Sequence, residues 1–217
     1  MTTPTQKQDP VRGELVEAAI RLLATDGAES LVLRRVASAA HVSTMCVYSR
    51  FGDKHGLMSA VYHGGFESLS LAMSEASDDP DPLRRLIDLG MSYRLFALAN
   101  PALYSLMFER MVGFDPAPEL RSETVQQSFA SFEAAMTEAI EEGSIAMESP
   151  VMAAYTFWTA AHGAVSMEMT HASPGPLQDL LADTGEEVYK GVLETTLRGM
   201  STTSTGSGAV SPDIVGS

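Results

Sequence analysis

The stretch that most constrains this chain is residues 33–54, LRRVASAAHVSTMCVYSRFGDK. Leu33, Val36, Ala37 and Ala40 recur at helical spacing. Val42 then opens a turn, and Ser43 is placed to cap a second helix from Thr44 to about Arg50. Val47 and Phe51, four apart, can anchor that helix, which leaves Thr44, Met45, Cys46, Tyr48, Ser49 and Arg50 for other faces. Such a second helix is too short and too polar to be a core element. The layout is that of a helix-turn-helix, whose second helix enters the DNA major groove.

The rest of the chain reads as helical. Apolar residues make up 45% of 217, strand-like alternation is nearly absent, and Pro and Gly punctuate long periodic segments. Asp9-Pro10 caps a first helix bearing Val11, Leu15, Ala18, Ala19, Leu22 and Leu23, and Gly27 stops it. Asp53 caps a long helix from Lys54 to about Ala76, with Leu57, Val61, Phe66, Leu69 and Met73 as core candidates. Gly64-Gly65 in its middle weakens it and offers a place to bend. SDDPDP at 77–82 marks a domain boundary. Further helices are expected from Pro82 to about Ala99, from Pro101 to about Val112, over 119–142, from Pro150 to about Thr170 and over 177–198. The expectation is an all-α chain of nine helices. Residues 1–9 are read as a flexible terminus, 10–76 as the DNA-binding domain with its linking helix, 81–200 as a C-terminal domain, and the Ser/Thr/Gly-rich 201–217 as a disordered tail.

Charge is unevenly spread. The formal net charge is −14, yet residues 1–60 hold seven Lys/Arg against six Asp/Glu, and 61–217 hold seven against 22. A basic head on an acidic body orients the head toward phosphate. A merely neutral head on an acidic protein gives the same count. One cysteine excludes an internal disulfide and fits a reducing compartment. No apolar run approaches the roughly 20 residues that span a bilayer, and MTTPTQKQDP lacks the apolar core of a signal peptide. A cytoplasmic protein without membrane association is expected. The five histidines are scattered, so neither a metal site nor a cofactor is expected.

The register of 15–57 resembles the DNA-binding domain of the TetR family of bacterial transcriptional regulators. Gly27, Val36-Ala37, Ala40, Val42-Ser43, Val47-Tyr48, Phe51, Lys54 and Leu57 all stand at family spacing. The C-terminal part is similar to a subgroup named for a Trp-His-Gly signature, through Trp158, His162 and Gly163 in FWTAAHGAVSMEM and through residues 81–109. The resemblance implies a homodimer that binds a palindromic double-stranded operator and releases it when a small molecule occupies the C-terminal domain. It assigns Tyr48 and Lys54 to phosphate. Three departures stand out: Val32 where a capping Ser or Thr is usual, His41 at a usual turn glycine, and Met45-Cys46 on the groove-facing helix. His41 is expected to take a left-handed conformation.

Thr44, Met45 and Cys46 are placed to reach base edges, Met45 by contact with a thymine methyl, and Ser43, Ser49 and Arg50 are further candidate DNA contacts. Tyr48 is a phosphate donor, or else a core aromatic with its hydroxyl at the surface. Arg34 and Arg35 meet the DNA backbone, or form a solvated face. Cys46 is a redox switch or an inert thiol.

Residues 90–170 are rich in Met and aromatics, which suits a pocket for a lipophilic effector. Such residues at helical spacing also make ordinary core. The selected lining is Tyr93, Phe96, Met107, Phe108, Met111, Phe129, Phe132, Met136 and Trp158, with His162 either facing ligand or satisfying a core acceptor. Val151, Ala154, Trp158, Ala161 and Val165, with Leu177, Leu180, Leu181, Val188, Val192 and Leu197, are read as the dimer interface of the last two helices. The rival readings are a helical sensor that binds no DNA and an enzyme using the apolar pocket. No nucleophile elbow, P-loop or dinucleotide fingerprint supports an enzyme.

Overall fold

In a computed structural model of the chain, residues 9–76, 78–109, 114–170 and 176–201 are described, apart from the side chains of Glu123 and of 176–183. Among the described residues the architecture is nine α-helices and one 3-10 turn, Ala28–Ser30. The helices are α1 (Pro10–Asp26), α2 (Leu33–Ala39), α3 (Thr44–Phe51), α4 (Lys54–Ser74), α5 (Pro82–Ala99), α6 (Pro101–Phe108), α7 (Pro118–Glu141), α8 (Pro150–Thr170) and α9 (Pro176–Met200).

The caps fall where the residue chemistry puts them. Asp9 Oδ1 accepts from the Arg12 N–H at 3.3 Å, Ser43 Oγ from the Cys46 N–H at 3.2 Å, and Asp53 Oδ1 from the Gly56 N–H at 2.8 Å. Val32 gives α2 no side-chain cap, and the turn residue His41 takes φ 55°. That conformation costs an L-residue roughly 1–2 kcal/mol. α6 is shorter than the sequence suggests. Glu109 turns to extended backbone, ending the helix at Phe108 rather than near Val112.

α4 is the spine. It packs on α1, α3 and α6 on one side and on α5 and α7 on the other. Leu57, Val61, Phe66, Leu69 and Met73 are all buried. α4 runs unbroken through the glycine pair, whose surroundings give it a packing role. Its reason is close approach. A Cβ on Gly64 would stand 2.9 Å from Val16 Cγ1 of α1, and one on Gly65 would stand 2.8 Å from Met107 Sδ of α6. Bare backbone lets both helices press onto the same turn of α4.

α5, α7, α8 and α9 form the C-terminal bundle. Arg94 of α5 is buried and reaches Glu168 of α8 with two bonds, Nε to Oε2 at 2.9 Å and Nη2 to Oε1 at 2.7 Å. Its guanidinium also lies over the Tyr189 ring, and the Tyr189 hydroxyl donates to the Gly90 carbonyl at 2.9 Å. The end of α9 is held by the Ala146 N–H donating to the Met200 carbonyl at 2.8 Å.

The stripe expected at the dimer interface needs correction. Ala154, Ala161 and Val165 are wholly buried within the subunit. Trp158 is half-buried against an internal cavity, and Val151 lies at that cavity's lining. On α9, Leu197 is also buried, whereas Val188 is exposed and Val192 half-buried. Periodicity identified a buried face, but that face covers α5 and α7 of the same chain. The side chains of Leu177, Leu180 and Leu181, the terminus 1–8 and the tail 202–217 lie outside the described residues.

Two glycine-to-alanine changes should go opposite ways. Gly13 of α1 has nothing within 4 Å of its would-be Cβ, so Gly13→Ala should stabilise by about 0.5–1 kcal/mol. A Cβ on Gly56 would fall onto the Phe51 carbonyl oxygen, far inside van der Waals contact, so Gly56→Ala should destabilise by about 1–3 kcal/mol or more. Urea midpoints at unchanged m-value check both.

Candidate functional site

α3 exposes an outer side because two residues hold its inner one. Val47 is wholly buried and Phe51 nearly so, while Met45 is 74% exposed and Tyr48 51% exposed. Thr44 and Cys46 are half-buried, and Ser49 is exposed with its hydroxyl donating to the Cys46 carbonyl at 2.9 Å. The chain then turns sharply. Gly52 at φ 73° ends α3, and Gly56 packs against the Phe51 carbonyl, so Lys54 sits exposed on the first turn of α4. Met45, Tyr48 and Lys54 are thus presented from one rigid helix junction, with Arg34 exposed on α2.

Arg50, a candidate DNA contact, is already paired within the subunit. Its Nε donates to Asp9 Oδ2 at 2.8 Å, and its Nη1 donates to the Cys46 carbonyl at 3.2 Å and lies 3.1 Å from Cys46 Sγ. Asp9 therefore caps α1 and clamps α3 to it. The hydrogen bond from Arg50 holds the Asp9 carboxyl below the usual carboxylate range, and Asp9 in turn raises Arg50. Arg35 is likewise paired, with Asp26 at the end of α1.

A cavity of about 350 Å³ opens in the C-terminal half. α4 contributes Phe66, Leu69 and Met73; α5 and α6 contribute Tyr93 and Phe108. α7 lends Val125, Gln126, Phe129 and Phe132 with two serines, and α8 lends Val151, Tyr155 and Trp158. Of the residues selected from sequence, Tyr93, Phe108, Phe129, Phe132 and Trp158 meet here. Phe96 and Met136 are core side chains outside the lining. They sit on the inward stripes of α5 and α7, where periodicity cannot separate a packed wall from a cavity wall. Met107 lines an adjoining groove instead, and Met111 lies outside the described residues. The α4 contribution was missed as lining. Phe66, Leu69 and Met73 continue at helical spacing past the glycine pair, beyond what α1 and α3 can cover, and that was the available signal.

His162 lies beneath the cavity, stacked on Trp158 with ring centroids 5.2 Å apart. Its Nδ1 is 2.9 Å from the Tyr93 hydroxyl and 2.7 Å from the Tyr104 hydroxyl, and those hydroxyls are 2.9 Å from each other. Burial pushes both tyrosines up and the histidine down, so all three are neutral near pH 7. Tyr104 had no place in the sequence-based selection. Among the described residues, no group of three or more His, Cys, Asp or Glu could hold a metal ion.

Two family models match in sequence. One, for bacterial regulatory proteins of the tetR family, covers residues 15–61, and the other, a tetracyclin repressor-like C-terminal domain, covers 86–189. The chain belongs to the TetR family. Its class is therefore that of a DNA-binding transcriptional regulator. The fold is shared with solved structures of low identity. A protein of unknown function from Rhodococcus sp. RHA1 is 24% identical, with 92% of this chain and 100% of that one covered at a TM-score of 0.72. The TetR family transcriptional regulator PfmR from Thermus thermophilus is 19% identical, with 85% and 97% covered at 0.59. A Clostridium perfringens protein described as a candidate fatty acid metabolism regulator is 18% identical, with 83% and 97% covered at 0.60. No curated protein matches in sequence.

The buried imidazole gives this TetR family protein an acid-side weakness. The folded state holds His162 below its ordinary value, so the unfolded chain binds the extra proton first as pH falls. Stability should be full above about pH 6.5 and decline as pH drops from there. His162→Gln should flatten the dependence relative to the parent chain, as read from urea midpoints between pH 7.5 and 5.

Proposed function

We propose that this TetR family protein is a repressor that binds a palindromic operator as a homodimer and is released when a lipophilic small molecule fills the cavity. The observation that carries the reading is the α3–α4 junction. Val47 and Phe51 hold α3 from behind while Met45 and Tyr48 stand out from it and Lys54 heads the next helix. In that arrangement Met45 and Thr44 read base edges, and Tyr48 and Lys54 bind phosphates on either side. Arg34 joins them on the backbone. Arg35 and Arg50 stabilise the head through Asp26 and Asp9, and Ser43 and Ser49 serve α3 itself.

The dimer forms through the outer side of the last two helices. Met152 and Met167 of α8 and Val188 of α9 are exposed, and nothing lies within 4 Å of a Cβ built on Gly163 or Gly191. A second copy of α8 and α9 fits against such a surface as a four-helix bundle. The two α3 helices then stand about one DNA turn apart, roughly 34–36 Å. Membership of the Trp-His-Gly subgroup is part of the same proposal, supported by the residues Trp158, His162 and Gly163. Action on operator DNA makes it cytoplasmic, and among the described residues no helix is long and apolar enough to cross a membrane.

Coupling runs along α4. The cavity residue Trp158 touches Phe108, which touches Phe66; Tyr62 and Phe114 continue the series of rings to His55, next to Lys54. A ligand that moves Phe108 or Phe66 acts on the same helix that positions Lys54. A coupling of about 1–3 kcal/mol loosens the operator some 5- to 150-fold.

The test is selection of DNA from a random pool, followed by binding isotherms at several salt concentrations. A palindromic site should emerge. Lys54→Ala should lower the salt slope by about 0.9 per subunit contact and weaken selected and random DNA alike. Met45→Ala should change sequence preference with the slope unchanged. A protein that binds no duplex at low salt contradicts the reading.

A further inference from the structure

We infer that the effector is an uncharged lipophile, and that a carboxylate or ammonium ion on the same carbon skeleton is excluded. This rests on the cavity's being the effector site, as proposed above. The first observation is the wall. Among the described lining residues none is Asp, Glu, Lys, Arg or His. Polar atoms come only from neutral side chains: Tyr93, Tyr155, Gln126 and two serines of α7. At the cavity's buried end, among Phe66, Leu69, Met73, Tyr93 and Phe132, an ionic group loses its water and gains no counter-charge, which is the expensive case of burial, whereas a hydroxyl, amide or ether finds a hydrogen-bonding partner in Tyr93.

The second observation lies behind the wall, where Tyr93 alone of three bonded groups reaches the cavity. Tyr93, Tyr104 and His162 form a triangle with sides of 2.9, 2.7 and 2.9 Å. In the neutral imidazole either Nδ1 is an acceptor or it carries the one ring proton. The triangle thus owns two or three protons for three edges. Tyr93, the member at the cavity wall, is thus engaged by Tyr104 and His162 and offers an anionic head no charge. A cation likewise finds no carboxylate among the described lining residues, and one face of Trp158 is stacked on His162 with an interplanar angle of 27°.

The third observation is where the charges are. Glu109, Asp115 and Arg121 line the adjoining groove, and Arg121 is bonded to Asp115. The arginine of that groove is therefore paired with its own neighbour.

Trp158 is the chain's single tryptophan, and it lines the cavity, so its fluorescence reports occupancy. Two matched series are titrated into the full-length protein at pH 8. One is decanol, decanoate and decylamine; the other is 4-cyclohexylbutanol with its acid and amine. The acids are anions and the amines cations at that pH. The expected result is saturable quenching or shift by an alcohol at a midpoint at least tenfold below that of either ion of its series. A second variant reverses the sign. Val125 is 41% exposed and lines the cavity, so Val125→Lys is tolerated by the fold and should favour the acid over the alcohol. An ion that saturates the parent protein at or below the alcohol's midpoint overturns the inference while leaving the cavity reading intact. If no member of either series perturbs Trp158 up to its solubility limit, both the inference and the cavity reading fall. DNA binding, measured separately, is untouched by either outcome.

Discussion

Everything in this molecule depends on how closely other helices approach α4. Where Gly64 and Gly65 remove side chains, α1 rests on α4 through Val16 and α6 rests on it through Leu103 and Met107. Interiors at crystal-like density transmit displacement instead of absorbing it. In the proposed mechanism, a helix gripped this tightly by both halves shifts for the cavity and the head together. Two glycines that cost the helix propensity let α1 and α6 pack on one turn of α4.

The head shows the same economy. Asp9 satisfies the start of α1 and anchors Arg50 of α3 in one contact, so the first helix and the exposed helix are tied across 41 residues of chain. Met45, Tyr48, Lys54 and Arg34 stand exposed on the outer side. In the proposed complex, the thioether of Met45 discriminates methyl-bearing bases and Lys54 contributes the salt-dependent part.

Much of this was legible in the sequence. The pairs Asp9-Pro10, Asp81-Pro82 and Ser149-Pro150, with Ser43 and Asp53, announce helix starts because a side-chain oxygen and a fixed φ act locally. Left-handed His41 and the uncapped Val32 were legible for the same reason. Partners distant in sequence were not. Nothing near Arg50 says that Asp9 claims it, and nothing near Gly64-Gly65 distinguishes a hinge from a close contact. The α8 stripe shows the limit most clearly: 3.6-residue periodicity says that Ala154, Ala161 and Val165 are covered, but not whether a second subunit or α5 and α7 cover them. The cavity lay in between. Its aromatics could be picked out, yet Phe96 and Met136 share their signature and belong to solid core.

The central claim is that the outer side of α3 lies against bases, and covalent capture examines it most directly. A benzophenone amino acid placed at Met45, with a second protein carrying it at exposed Leu71 of α4 as the reference, would be irradiated on selected operator DNA. The account predicts crosslinks from position 45 to bases inside each half-site, lost when saturating effector is added, and none from position 71. Equal labelling from both positions, or none from position 45 on DNA that is demonstrably bound, would contradict it.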